Sequence, residues 1–289
     1  MTAPDVLRAT VERGEVSTAG DASHVPWWSF TKTVIAAAAL ALVRDGALAL
    51  DRPAAGKPYT LRQLLQHTAG LGDYAELADY HAAVARGDDP WPVDELLRRC
   101  RADELRCAPG GGWRYSNIGY LAARGMIERA TGMPLDAALQ RAVLAPLGIG
   151  LTRLARERAD LDTVAMGAAD GYHPGWVYHG LLVGPLHEAA LLLDRLIGGS
   201  LLPPGLIREM ATARLVGSAI PGRPWRAPGY GLGVMVEADS GGPLGHTGAG
   251  PGSTIAVYRR MASVGPVVIA AFAYGDDQGL VERTAFGLA

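Results

Sequence analysis

Ser29-Phe30-Thr31-Lys32 sets a hydroxyl and an amine three residues apart. On a helix those side chains share one face, so their tips can meet. A serine hydroxyl attacks a carbonyl only once a base has taken its proton. A lysine amine can be that base when burial and nearby positive charge bring its pKa down from about 10.4 towards neutrality. The partial positive charge of a helix N-terminus pushes the same way. Arginine is unsuited, because its guanidinium stays protonated. The chain carries 27 basic residues of which only two, Lys32 and Lys57, are lysines. With nine serines, chance alone would give about 0.06 such Ser-x-x-Lys pairs. The plainer alternative is an N-capping serine followed by an exposed lysine.

Tyr115-Ser116-Asn117 follows a Pro-Gly-Gly-Gly turn and holds the only asparagine of the chain. A phenol beside the serine–lysine pair can relay a proton to a leaving group, and a carboxamide can bond both the lysine and a substrate carbonyl. Capping of the next helix by Ser116 or Asn117 explains the same residues more simply. His246-Thr247-Gly248 is expected on a short strand at the edge of a sheet, among glycines 245, 248, 250 and 252. There Gly248 would let substrate approach, while the N–H of Ala249 would join that of Ser29 around a developing oxyanion. A glycine-rich turn ahead of the next strand would look identical.

The elements that must position these groups follow from periodicity. A hairpin is expected around Arg13-Gly14, and a helix over 29–44 with Gly46 as its stop. Residues 61–147 read as helical, through LRQLLQH, VDELLRRC, IGYLAARGMIERA and LDAALQRAVL, with apolar positions three and four apart. A further helix over 186–197 precedes strands at 230–236, 253–259 and 265–274, and a last helix covers 280–288.

The 289 residues, 49% hydrophobic and 19% charged, suffice for a large core in one or two intimate domains. A net charge of -2 gives no reason to expect a nucleic-acid or membrane partner, which leaves small molecules. The longest apolar run, 34–43, is half of the roughly 20 residues a membrane helix needs. The opening MTAPDVLRATVERGEV lacks a basic start followed by an apolar stretch, so the expected location is the cytoplasm. There Cys100 and Cys107 are expected as free thiols. No metal-ligand spacing accompanies them, and neither metal nor cofactor is called for.

Ser-x-x-Lys, Tyr-x-Asn and a late His-Thr-Gly, in that order, resemble the motifs of the class C β-lactamase and penicillin-binding protein superfamily, with its esterases and D-amino-acid amidases. LLQHTAGL (64–71), PGGGWRYSN (109–117), GGSLLPPGLIREM (198–210), YGLGV (230–234) and GHTGAGPG (245–252) are similar to further landmarks of that family. The resemblance implies an α/β (α+β) fold, an antiparallel sheet flanked by helices with an inserted all-helical subdomain. Residues 1–51 and 176–289 would form the sheet unit and 52–175 the helical one, with the site in the cleft between. It implies Ser29 as the acylated nucleophile and Lys32 and Tyr115 as the acid–base pair. Asn117, His246, Thr247, Gly248 and Ala249 would contact substrate.

Two departures refine the expectation. The third motif often begins with lysine in that family; His246, with a reference pKa near 6.5, would be largely uncharged at neutrality. An ester or amide substrate is therefore expected first, acyl transfer in small-molecule biosynthesis second, and a β-lactam or D,D-peptide third. The alternative of another class is a binding module that keeps the fold without turnover. Only 28 residues precede Ser29, so the sheet is expected to lack some of the family's initial strands.

Overall fold

Arg13 and Gly14 both take positive φ, 53° and 81°, the two-residue turn whose twist matches that of its flanking strands. It joins β1 (Leu7–Glu12) to β2 (Glu15–Ala19) as the expected hairpin. The structure, a computed structural model, describes residues 6–20, 24–169, 171–238, 242–263 and 265–288. After β3 (His24–Pro26), a 3-10 turn over Trp28–Phe30 runs into α1 (Thr31–Arg44). Helices α2 (Leu61–Leu65), α3 (Ala78–Ala85), α4 (Val93–Arg99), α5 (Asn117–Thr131) and α6 (Leu135–Leu139) follow. Strands β4 (Arg153–Ala155) and β5 (Leu181–Pro185) lead to α7 (Leu186–Gly198) and α8 (Pro204–Ala211). Then come β6 (Arg214–Leu215), β7 (Pro228–Tyr230), β8 (Met235–Glu237), β9 (Leu244–Gly250), β10 (Ser253–Ala262), β11 (Gly265–Tyr274) and α9 (Gln278–Ala285).

The main sheet runs β2-β1-β11-β10-β9-β8-β7-β6, with antiparallel pairing between neighbours. Strand alternation sends Val268, Ala270 and Phe272 of β11 into the core shared with α1 and α7. It sends Val267, Ile269, Ala271 and Ala273 to the opposite face, against Trp225 and α9. A sheet buried on both faces explains why β11 reads as a continuous apolar run.

Several expectations need correction. Before Ser29, the expected hairpin supplies two strands of the main sheet: β1 pairs with β11 and β2 forms an exposed outer strand. The strand expected over 230–236 is broken, because Gly233 takes φ +77° and its carbonyl accepts from Thr33 Oγ1 of α1 at 2.7 Å. Leucine and valine there satisfy strand propensity, but packing against α1 demands a bend. Residues 52–175 are not all helical, since β4 pairs with β5 in a second sheet ordered β3-β5-β4. The His-Thr-Gly strand, β9, lies inside the main sheet, although β8 pairs only with its Leu244 and Gly245. The last helix begins two residues earlier than expected, with Asp277 as its cap. Among the described residues no helix is long and apolar enough to cross a membrane.

Candidate active site

From Val25 to Ala41 every residue is buried except Ser29. The 3-10 turn that carries it contains Trp28 at φ +39°, a conformation disfavoured for a bulky side chain. Such strain persists only where surroundings hold it. Trp28 Nε1 donates to Ser253 Oγ at 3.1 Å, and its ring lies against Gly250, where any side chain would collide with it. A Cβ on Gly248 would stand 2.7 Å from the Ser29 nitrogen. The two glycines thus let β9 press against the backbone that presents Ser29, and the neighbouring Ala249 is exposed.

One turn further on, Lys32 is fully buried, with Nζ 3.1 Å from Ser29 Oγ. Burial lowers its pKa to about 7, against the opposing pull of Asp73. The Tyr115 hydroxyl donates to the same Ser29 Oγ at 3.0 Å, and burial raises its pKa, so the phenol keeps its proton. The Lys32 amine also lies 5.0 Å and 5.6 Å from the ring centres of Tyr115 and Tyr120. A near-neutral amine, a hydroxyl and a phenol in one hydrogen-bonded chain can pass a proton in either direction.

Tyr115 reaches this position because the next residue starts a helix. Ser116 Oγ caps α5 by accepting from Gly119 N at 3.0 Å, which decides between the two candidate caps. Its own N–H donates to His67 Nδ1 at 3.0 Å. His67 sits at φ +58°, with its ring 4.3 Å from that of Tyr115. Asn117 does not meet the lysine amine among the described contacts. Its Nδ2 donates instead to both carboxylate oxygens of Asp73, at 3.1 Å and 3.0 Å. Asp73 is 8% exposed, and burial raises its pKa against the attraction of Lys32.

On β9, His246 is buried between Tyr230, whose hydroxyl lies 2.8 Å from Nε2, and the Thr247 carbonyl, 2.6 Å from Nδ1. Burial first, then the charge of Lys32, takes its pKa down to about 3, so the ring is neutral at ordinary pH. The Thr247 side chain turns to the other face of the sheet, where Oγ1 bonds the Tyr258 hydroxyl at 2.8 Å and Glu282 of α9. Its hydroxyl is therefore committed away from Ser29, contrary to the expected substrate contact.

Sequence reasoning missed four groups that surround the serine–lysine pair. His67, Asp73 and Tyr230 lie in or beside segments already singled out, but nothing in their spacing gave a role. His179 Nε2 stands 3.1 Å from Lys32 Nζ, across 147 residues of chain, and its Tyr-His-Gly context carries no signal. Trp27, Trp28 and Trp176 belong to the core. Cys100 and Cys107 are free thiols, one buried and one half-buried.

A sheet packed on both faces, with Ser-x-x-Lys at the head of a buried helix and a glycine-rich strand beside it, defines the β-lactamase-like class of fold. The chain belongs to the Beta-lactamase family, which it matches over residues 5–286. It is 38% identical to esterase EstB of Burkholderia gladioli, over 42% of this chain and 36% of that one. It is 32% identical to penicillin-binding protein 4* of Bacillus subtilis, over 45% of this chain and 28% of that one. The matches thus span about a third of those curated relatives. Among solved structures, a D-stereospecific amidohydrolase from Streptomyces sp. superposes with TM-score 0.79 at 24% identity, covering 100% of this chain and 95% of that one. D-amino acid amidase from Ochrobactrum anthropi, in complex with L-phenylalanine, gives TM-score 0.79 at 22% identity, with 98% and 92% covered. These two establish likeness of fold.

Proposed function

We propose that this chain is a serine hydrolase that cleaves small esters or amides through an acyl-enzyme at Ser29. The observation that carries the reading is the pair of contacts on Ser29 Oγ, with Lys32 Nζ at 3.1 Å and with the Tyr115 hydroxyl, which donates to it, at 3.0 Å. The neutral Lys32 amine takes the hydroxyl proton as Ser29 attacks the carbonyl. The backbone N–H groups of Ser29 and Ala249 hold the developing oxyanion. Tyr115 gives its proton to the leaving group and recovers one from Lys32. Water, activated in the reverse sense, then releases the acid and restores Ser29.

Two features bear on the substrate. His246 is neutral, so it offers no fixed positive charge for the carboxylate of a β-lactam or peptide. Asp73 has no cationic side chain within ion-pair distance among the described residues, and neutral donors, from Asn117 Nδ2 and the Ala75 N–H, are what meet its carboxyl group. A substrate bearing an ammonium group near its acyl carbon would supply the missing charge. Ligands of the structural neighbours fit that reading, since the Ochrobactrum anthropi amidase is found with L-phenylalanine amide. Acyl transfer to a nucleophile other than water remains the second reading, because the same acyl-enzyme serves both.

A fluorophosphonate probe read by intact mass tests the proposal. One adduct is expected on the native chain and none on Ser29→Ala, together with turnover of p-nitrophenyl esters. A native chain that takes no label, yet is stabilised thermally by ligands without hydrolysing them, would instead be a binding module.

A further inference from the structure

The Lys32 amine has a partner that proton abstraction alone does not require, the His179 Nε2 at 3.1 Å. We infer that His179 is a positioning residue that accepts one N–H of Lys32 and so favours the rotamer in which the amine lone pair faces Ser29 Oγ. This rests on the reading of Ser29 as the nucleophile.

A neutral primary amine has two hydrogens and one lone pair, and rotation about its terminal bond exchanges them. It works as a base towards Ser29 only in the rotamer whose lone pair faces the hydroxyl. Of the three staggered rotamers, an acceptor on the other side removes the one whose lone pair points at the acceptor, and so raises the share that faces Ser29 with the lone pair. Imidazole can be that acceptor only when neutral and unprotonated at Nε2. Burial first, with Lys32 next among the causes, holds the His179 pKa well below its ordinary value, so the ring cannot compete for the serine proton. His67 and His246, which share the pocket around Lys32, are also held neutral by burial.

The loop that carries His179 is fixed on both sides. Arg124 of α5 donates to the Tyr178 carbonyl at 3.1 Å, and the Tyr178 hydroxyl donates to the Trp91 carbonyl at 3.0 Å. Gly180, at φ +111°, then turns the chain into β5. With Nε2 as the acceptor the His179 ring proton sits on Nδ1, which meets no partner among the described residues. The step balances without it: the Ser29 proton moves onto the Lys32 lone pair, and the resulting ammonium donates to both Ser29 Oγ and His179 Nε2. The carboxamide of Asn117 was expected to bond the lysine, but it is engaged by Asp73, and the imidazole is the group that meets the amine.

Fluorophosphonate labelling of His179→Leu and His179→Gln tests the inference, with the maximal labelling rate separated from the half-saturating probe concentration. Leu removes the acceptor, whereas the Gln carbonyl keeps one that does not titrate. Misaligning a reacting group costs on the order of 10- to 100-fold. The expected result is a fall of that size in the maximal rate for Leu, an unchanged half-saturating concentration, and recovery of most of the rate in Gln. His179→Met is the second acceptor-poor variant should Leu not fold, and melting temperature monitors folding throughout. Native-like rates for Leu or Met, or a Gln variant as slow as they are, would overturn the inference. A native chain that takes no label at Ser29 would remove the hydrolase reading and this inference together.

Discussion

Lys32 and Lys57 have the same side chain but opposite surroundings. Lys57 is exposed beside Asp103, while Lys32 is sealed among Ser29, Tyr115, Tyr120 and His179. Burial of that kind favours the neutral amine, the form the proposed mechanism requires of Lys32. Replacing Lys32 with Arg keeps a long basic side chain but one that stays protonated and cannot accept the proton. Lys32→Arg is expected to lower kcat by about 10²-fold or more, as loss of a general base does, and steady-state kinetics on a p-nitrophenyl ester measures it. The pH profile should carry the same signature. Lys32 must be neutral to act, so kcat/KM should rise with pH to a half-maximum near 7, falling about tenfold per unit on the acid side. The buried histidines 67, 179 and 246 stay neutral through this range, and Tyr115 and Tyr120 stay protonated. A flat profile between pH 6 and 8 would exclude Lys32 as the base.

At the scale of elements, the site depends on how closely β9 approaches the turn before α1. Gly248 sits where a single methyl would meet the Ser29 nitrogen and the Trp27 carbonyl. Any shift of these backbone atoms moves the Ser29 N–H, one of the two proposed oxyanion donors. Gly248→Ala should destabilise the fold by about 1–3 kcal/mol, as overpacking does, and slow fluorophosphonate labelling more than tenfold. Urea denaturation and labelling rates read the two effects separately, and normal labelling would show that β9 does not define the oxyanion site. The helices around the site were legible beforehand because their signals are local. Ser116 caps α5, and the apolar spacing in 61–67, 93–100 and 135–144 marks helical segments. Breaks such as the bend at Gly233 were not, because an apolar run does not disclose that α1 crosses beneath it.

Across the whole molecule, the site strand is tied to the far layer. Glu282, fully buried in α9, accepts from Thr247 of β9 and pairs with Arg223, whose side chain is 21% exposed. Removing one partner of a buried pair leaves an uncompensated charge and costs about 3–5 kcal/mol. Because Arg223 is partly solvated, Glu282→Leu is expected near the lower end, about 3 kcal/mol. The exposed pair Arg86–Asp88 offers a contrast, since solvent screens it and its removal should leave the urea midpoint nearly unchanged. Urea titrations of the two variants decide whether the back of the sheet is anchored as described, and equal midpoints would refute it.

Residue types and local spacing were enough to pick out the serine, the lysine and the tyrosine, because a helical turn and a cap fix neighbours only a few positions apart. The order of the three motifs was enough to indicate the family. Folding alone decided which groups gather around them. His179 reaches Lys32 across 147 residues, Asn117 turns to Asp73, and Thr247 turns to the far face. Such contacts join separate elements, and no periodicity along one strand or helix records which side chains another element will bring to meet it.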